Sequence, residues 1–477
     1  MADIDWMVSR IEEGPQGPEV GAFFDFDGTL IDGYSALAFF RERIKARDIS
    51  LNEVFQTLIE SVNVERRGHD ISQIMNIAVS EQAGKSLEEM ERFSRQIFQT
   101  KISGMIYPDA RELVNAHHNA GHTVVIASSA TPPQIAPAAE DLGVEYVLCT
   151  EMEQADGVLT GVLGSPIRWG QGKADAVAEF SVEYDINLGN SYTYSNGAED
   201  VPFLSMTGNP TALNPDAELT ATARRKKWPI ANFSMPHRHN PITRARSAAA
   251  FGMLGVGFAA GATMALVNWD RSVGAGVAAS VGSELALATA GVGLNVVGEQ
   301  NIWSNRPAVF LFNHQSQLDV MILGSLLRRD FTGVAKKQLE HDPVFGPIGF
   351  LTDVAYVDRD NREKAIEALA PVVEALKNGR SIAISPEGTR SPTPRLLPFK
   401  KGPFHMAMQA GVPVVPIVIR NAGDIMRSHS LVISNGTVDV AVLKPISTKS
   451  WTAASIGKNV EKVRGLYLET LQHWPTK

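Results

Sequence analysis

Apolar residues along this chain come in two textures. Before residue 230 and again after residue 307 they form short runs that end in polar or small-residue loops, the mark of buried strands. Runs 20–26 and 123–127 read as strands in the first region; 308–312, 354–357, 381–385 and 414–419 read as strands in the second. Residues 34–99 are long, charged and nearly free of Gly and Pro, so they read as helices inserted after the first strand rather than as one unbroken crossover helix. Residues 361–378 predict a helix with Ala365, Ile366, Leu369, Val372, Val373 and Leu376 on one side. Two α/β regions are expected, with no internal repeat.

Between them the texture changes. Residues 247–269 carry no charge, and residues 272–298 carry only Glu284. The first stretch has the length of a membrane span, about 20 residues. Residues 219–269 hold no Asp or Glu, but they do hold Arg224, Arg225, Lys226, Lys227, Arg238, Arg244 and Arg246. Membrane association is the leading expectation. It takes one of two forms: two spans joined by an outer turn at 268–271, or helices lying on the surface with the cations as an electrostatic tether. Both leave the flanking regions on the cytoplasmic side. Tight packing inside a soluble body is the alternative, since Gly257 and Gly261 form a GxxxG spacing that serves either setting.

Length and composition narrow the class. At 477 residues the chain has room for about three domains. With 44% apolar and 20% charged residues it can build full cores. Cys149 is the one cysteine, which excludes an internal disulfide and a multi-cysteine zinc site and fits a reducing compartment. A net charge of -8 argues against a general nucleic-acid binder. Residues 1–14 contain Asp3, Asp5, Glu12 and Glu13 and no apolar run, so they do not read as a secretory signal.

The first chemical motif is Asp25-Phe26-Asp27-Gly28-Thr29-Leu30, two carboxylates at the carboxyl end of a strand, where ligands bind in open sheets. One carboxylate can attack phosphorus while the other donates a proton to the leaving oxygen, with Mg²⁺ offsetting the crowded negative charge. An acidic turn is the alternative. Ser128 ends the next strand, and Lys173 follows Gly170-Gln171-Gly172. In this order the motifs resemble the haloacid dehalogenase superfamily, in its phosphoserine-phosphatase-like branch with a helical cap. The resemblance implies Asp25 as nucleophile, Asp27 as general acid and backbone metal ligand, Ser128 as phosphate-binding hydroxyl and Lys173 as stabiliser of Asp25 and phosphate. Where the family has GDSxxD, this chain reads Ser195-Asn196-Gly197-Ala198-Glu199-Asp200. The Mg²⁺ ligands implied are therefore Asp25, Asp27, Asn196 and Asp200, with one negative charge fewer at Asn196. A weakened or regulatory domain stands beside an active phosphatase.

The second site begins at Asn313-His314, with Asp319 five residues after His314, behind a predicted strand. A neutral imidazole can take a proton from a hydroxyl near pH 7, and an aspartate can fix its tautomer. Five helical steps do not put the two on one face, but a loop leading into a helix can bring them together. Glu387-Gly388-Thr389-Arg390 also follows a strand, Arg359 sits at the end of another, and Lys336, Lys337, Lys400 and Lys401 add positive charge. Together these motifs resemble the glycerolipid acyltransferase family that includes 1-acylglycerol-3-phosphate acyltransferases. The proline-bearing strand motif at residues 412–417 and the run 335–339 with Pro343 and Gly346 belong to the same likeness. The one departure is Asp358 before Arg359, where many members carry a hydrophobic or small residue. The likeness implies His314 as base supported by Asp319, phosphate binding by Arg359, Arg390 and Lys336, and acceptor positioning by Glu387 with Gly388 and Thr389.

The expected architecture is α/β throughout. It comprises an N-terminal extension (1–17), a Rossmann-like haloacid dehalogenase domain (18–233, cap about 34–100), a basic linker with a membrane-associating helical hairpin (234–300) and an α/β glycerolipid acyltransferase domain (301–477). The expected activity is acyl transfer from acyl-CoA or acyl carrier protein to lysophosphatidate, giving phosphatidate in a membrane of phospholipids. Glycerol 3-phosphate as acceptor, a phosphoserine-like phosphatase as the main activity, and a non-enzymatic scaffold remain alternatives. A homodimer is left open.

Overall fold

The computed structural model describes residues 2–45, 72–235, 241–336, 354–357, 370–428 and 430–475. The chain divides into two compact units, Met1–Pro236 and His237–Lys477. In the first unit the helices are α1 (Ile4–Glu12), α2 (Ser35–Lys45), α3 (Ser72–Ser80), α4 (Leu87–Thr100), α5 (Pro108–Asn119), α6 (Pro132–Leu142), α7 (Gln171–Glu183) and α8 (Ala217–Lys226). Its strands are β1 (Gly21–Phe24), β2 (Thr123–Ala127), β3 (Tyr146–Leu148), β4 (Met152–Ala155), β5 (Val158–Leu163), β6 (Tyr192–Ser195), β7 (Asn209–Leu213) and β8 (Ile230–Ala231).

Six of these strands form a parallel sheet in the order β3-β2-β1-β6-β7-β8. All four residues of β1 are buried, which is why it reads as an unbroken apolar run instead of an alternating one. The order reverses beside β1, and the crevice at the carboxyl ends of β1 and β6 is the topological switch point of the sheet. β4 and β5 form a separate antiparallel hairpin through Asp156 and Gly157, both at positive φ, as a two-residue hairpin turn requires. The expected helical insertion is described as α2, α3 and α4; residues 46–71 lie outside the described residues.

One polar cluster lies inside this unit. His117 Nε2 is 2.8 Å from the Tyr194 hydroxyl, His117 Nδ1 is 2.8 Å from His122 Nδ1, and His122 Nε2 is 2.8 Å from the Pro15 carbonyl. A carbonyl only accepts, so His122 donates from Nε2; with both rings neutral, the form burial favours, His117 then donates to His122 and Tyr194 to His117.

In the second unit the helices are α9 (Pro241–Asn268), α10 (Arg271–Ala290), α11 (Leu318–Leu327), α12 (Ala370–Lys377), α13 (Gly402–Ala410) and α14 (Ile456–Gln472). The strands are β9 (Val292–Val297), β10 (Val309–Phe312), β11 (Phe331–Lys336), β12 (Ala355–Val357), β13 (Ser381–Ile384), β14 (Val414–Ile419) and β15 (Gly436–Val442). They form one sheet in the order β12-β11-β13-β10-β14-β15-β9, parallel except where β15 runs against β14. β9 falls inside the stretch expected to belong to the membrane hairpin. Gly291, at φ 71°, ends α10, and the β-branched Val292, Val296 and Val297 then pair with β15, so the sheet begins before residue 301.

The helical hairpin is part of this body. Ala286, Leu287 and Ala290 of α10 and Ala250 and Leu254 of α9 share a core with α11 and the sheet. At Gly257 and Gly261 any side chain would run into α10 at Gly282 and Gly274, so the GxxxG spacing serves close helix contact. Gly324 of α11 packs against Ser283 in the same way.

Candidate active sites

At the switch point of the first sheet, Asp25 is the first residue beyond β1 and is 5% exposed. Its Oδ1 is 2.6 Å from Lys173 Nζ, and the same ammonium is 2.6 Å from Asp200 Oδ2. Asp200 Oδ2 also accepts from the Ser195 hydroxyl at 2.6 Å. Burial raises the Asp25 carboxyl above the ordinary carboxylate range, while Lys173 pulls it back. Burial works against the Lys173 ammonium too, but Asp25 and Asp200 outweigh it and hold its pKa above the usual lysine value. α7 carries Lys173 on its first turn, which brings the residue to the strand ends.

Asp27 turns the other way. Its Oδ1 accepts from Ser35 N at 2.6 Å and its Oδ2 from the Ser35 hydroxyl at 3.1 Å, at the start of α2. Burial nevertheless pushes its pKa up to about 6, which keeps a proton available for donation. Ser128 is the first residue beyond β2, at the same end of the parallel sheet as Asp25, and its Oγ accepts from Ala130 N at 3.2 Å.

The Thr29 hydroxyl lies 2.9 Å from Asp25 Oδ2 and 3.3 Å from Asn196 Oδ1, so carboxylate and carboxamide oxygens face one small space. Gly28, at φ 76°, presses against the Asn196 side chain, where any Cβ would collide. An all-oxygen donor set of this kind suits Mg²⁺. Asp200 Oδ2 is committed to Lys173 and Ser195, leaving Oδ1, which is buried without a hydrogen-bond partner. Among the described residues no three His, Cys, Asp or Glu side chains cluster as a metal cage. The residues present therefore fit Mg²⁺ with one fewer charge than two aspartates and a third would give.

The second site is built on the loop between β10 and α11. His314 Nδ1 is 2.8 Å from Asp319 Oδ2, and that oxygen also accepts from Gln315 N (2.8 Å) and Ser316 N (2.9 Å). A carboxylate holding three donors fixes the proton on Nδ1 and leaves the lone pair on Nε2. Asp319 is fully buried, and the His314 side chain is 21% exposed. The helix does not align the two residues; the tight loop leading into α11 does.

Three further contacts hold this loop. Asn313 exchanges two 2.7 Å hydrogen bonds with the backbone of Ile419 at the end of β14. Ser316 Oγ donates to Met426 O. Glu387 Oε1 accepts from His314 N at 2.7 Å, and its Oε2 accepts from Leu397 N at 2.9 Å. Glu387 is thus the buried peg that joins the histidine loop to the loop after β13. Burial pushes its pKa up to about 7 against the pull of those two amides.

Arg390 is half-buried and donates from Nη1 to Ser428 O at 2.7 Å; burial lowers its pKa, with Asp319 close enough to oppose that. Gly388 sits at φ 73° with the Lys400 side chain against it, and Thr389 is exposed. Lys336 ends β11, and Lys400 and Lys401 are exposed. Arg359, Lys337, Pro343, Gly346 and Asp358 lie outside the described residues. Ser35, Thr29 and Ser195 were not singled out from sequence as site residues, because a hydroxyl that holds a carboxylate leaves no spacing signal.

A family model for haloacid dehalogenase-like hydrolases matches residues 22–205. The chain is 33% identical over 259 residues to phosphoserine phosphatase SerB1 of Mycobacterium tuberculosis, covering 53% of this chain and 81% of that protein. The chain belongs to the haloacid dehalogenase-like hydrolases. This hydrolase-family chain also carries an acyltransferase domain, matched by a family model over residues 293–420. Over 185 residues it is 40% identical to a 1-acyl-sn-glycerol-3-phosphate acyltransferase of Saccharomyces cerevisiae, 38% of this chain and 61% of that protein. A protein of the same name from Cocos nucifera is 36% identical over 174 residues, 36% of this chain and 56% of that protein. The chain thus spans between 56% and 61% of the length of these curated acyltransferases.

Proposed function

We propose that the second unit transfers a fatty acyl group from acyl-CoA or acyl carrier protein to the free hydroxyl of 1-acylglycerol 3-phosphate, giving phosphatidate. The observation that carries this reading is the His314–Asp319 pair with Nε2 free, pinned by Glu387. His314 Nε2 takes the hydroxyl proton as that oxygen attacks the thioester carbonyl. Asp319 supports the imidazolium that results. Collapse breaks the carbon–sulfur bond, and the imidazolium returns its proton to the thiolate. Arg390, with Arg359 and Lys336, is assigned to the acceptor phosphate. Product analysis of the purified chain in mixed micelles, with several donors and acceptors, tests this: phosphatidate formed from lysophosphatidate supports it, and no acylated product from any pair overturns it.

For the first unit we propose a phosphomonoester hydrolase. Asp25 attacks phosphorus as Asp27 protonates the leaving oxygen; water then attacks the aspartyl phosphate, giving its proton to Asp27 and releasing phosphate, while Lys173 holds Asp25 in place and Ser128 and Lys173 hold phosphate oxygens. Mg²⁺ would be held by Asp25, the Asp27 carbonyl and Asn196, with Asp200 beside them, and would offset the gathered negative charge. Phosphate release by the full chain that persists after Asp25→Asn would sink this assignment.

Membrane attachment follows from α9. Val256, Met264, Leu266 and Val267 face outward, and Trp269 at the hairpin tip is 95% exposed. α10 is the opposite case: Glu284 pairs with Arg328 at 3.4 Å, Gly276 lies against Arg328 and Arg329, and nearly half of the helix is buried. Hydrocarbon around α10 would enclose those charges, which supports α9 lying along the interface over a hairpin that spans. On this reading both units stay on one face, which we assign to the cytoplasm.

A further inference from the structure

The first unit has a second concavity, none of whose lining residues belongs to the Asp25 site. It is a groove of about 690 Å³ lined by Trp6, Thr220, Arg224, Lys227, Trp228 and Ile230, among others. Local structure explains how these side chains meet. Ala2 N donates to Ile230 O at 3.0 Å, tying the start of the described chain to the edge strand β8. Asp3 caps α1 by accepting from Trp6 N at 2.9 Å, and Trp6 is left 44% exposed with the Arg10 guanidinium 5.4 Å from its ring centre. At the far side α8 ends on Lys227, a non-glycine residue at φ 58°, and the reversal lays Trp228 back along the helix through Trp228 N→Ala223 O at 2.9 Å.

The charges here are one-sided. Arg224, Arg225, Lys226 and Lys227 are consecutive and exposed. Lys226 Nζ stands 4.8 Å over the Trp228 ring and bonds Ser205 Oγ, and Arg225 bonds Thr222 Oγ1. Arg224 and Lys227, the two that line the groove, enter no ion pair among the described residues. The one carboxylate in the lining, Asp3, is already used as the cap. The negative end of the α8 dipole accounts for basic residues in its last turn. It does not account for Lys227 beyond the helix or for two indoles beside it. Tryptophan next to arginine and lysine is the combination that sits at a bilayer's headgroup layer, where the indole is amphipathic and the cations meet lipid phosphate.

We propose that this groove docks the first unit on an anionic phospholipid surface, with a headgroup phosphate held by Arg224 and Lys227 and the Trp6 and Trp228 indoles in the headgroup layer. The inference extends the membrane reading of α9 and fails separately from it, because attachment and groove occupancy are read by different signals.

The test uses the full chain with Cys149→Ala and Thr220→Cys, the new thiol carrying a polarity-sensitive fluorophore. Vesicles are pure phosphatidylcholine, or phosphatidylcholine with one-third phosphatidylglycerol. Sedimentation with the neutral vesicles, which the groove does not engage, reports α9; a blue shift of the fluorophore reports the groove. The expected result is a shift on the anionic vesicles and none on the neutral ones. Arg224→Gln and Lys227→Gln should each raise the lipid needed for half the shift by about fivefold, while the chain still sediments. No shift on anionic vesicles, with or without sedimentation, overturns the proposal. So does a shift unchanged in the double variant, or an equal shift from glycerol phosphate or polyglutamate without vesicles, which would make the groove a site for soluble anions.

Discussion

At the scale of single residues, both sites are carboxylates assigned distinct states by their surroundings. Asp25 faces an ammonium, while Asp27, two residues on, is held by Ser35, its pKa pushed up to about 6 by burial. Asn196 is the residue whose chemistry departs from an all-aspartate site. Asn196→Asp should tighten Mg²⁺ binding by the full chain severalfold, seen by calorimetry, because it restores a charge among hard oxygen ligands; unchanged affinity would take Asn196 out of the metal's reach. The buried His117 gives a pH prediction. Burial first, and then His122, lowers its pKa well below the usual value, so the folded state keeps it neutral. An unfolded histidine gains its proton below about 6.5, so stability is full above that pH and falls below it by about 1.4 kcal/mol per pH unit while the folded ring stays neutral. Thermal unfolding of wild type and His117→Asn between pH 7.5 and 5.5 (about one unit either side of the free value) should show wild type losing the larger share. Parallel curves would contradict a neutral buried ring.

Secondary-structure elements show what the sequence carried and what it did not. The strands 123–127 and 414–419 are found with the same bounds, since a strand covered on both faces is a nearly continuous apolar run between polar or small-residue ends. The insertion after β1 was legible from a long charged stretch with few breakers. β9 was not, because six residues after an apolar helix continue its hydropathy and only Gly291 marks the change. The loop that joins His314 and Asp319 was legible, since their spacing excluded a helical face; the backbone amides of Gln315 and Ser316 that hold Asp319 in it were not, because main-chain donors leave no mark in the sequence. For α9 the outward face is the prediction. Leu266→Glu with Val267→Glu should move the chain from the vesicle pellet to the supernatant by about tenfold or more, since two buried apolar side chains are each worth about 1.5–3 kcal/mol. Gly257→Leu probes the other face, where it would part α9 from α10 and lower the melting temperature of the second unit. Retention of the double glutamate variant on phosphatidylcholine vesicles would place the attachment elsewhere.

For the whole molecule, two compact units each place chemistry at the carboxyl ends of a sheet, and the acceptor assigned to the second keeps the phosphate that the first is built to remove. Coupling by direct transfer is therefore not implied, and the two activities should separate cleanly: Asp25→Asn should leave acyl transfer unchanged, and His314→Ala should leave phosphate release unchanged. The arrangement at the second site rests on one imidazole with its Nδ1 proton held by Asp319 and its other nitrogen open. The direct test is acyl transfer to lysophosphatidate by purified wild type and His314→Ala in mixed micelles, with melting curves recorded on the same samples. A fall of about 10²-fold or more at an unchanged melting temperature is the predicted result; a variant that transfers at the wild-type rate would contradict it.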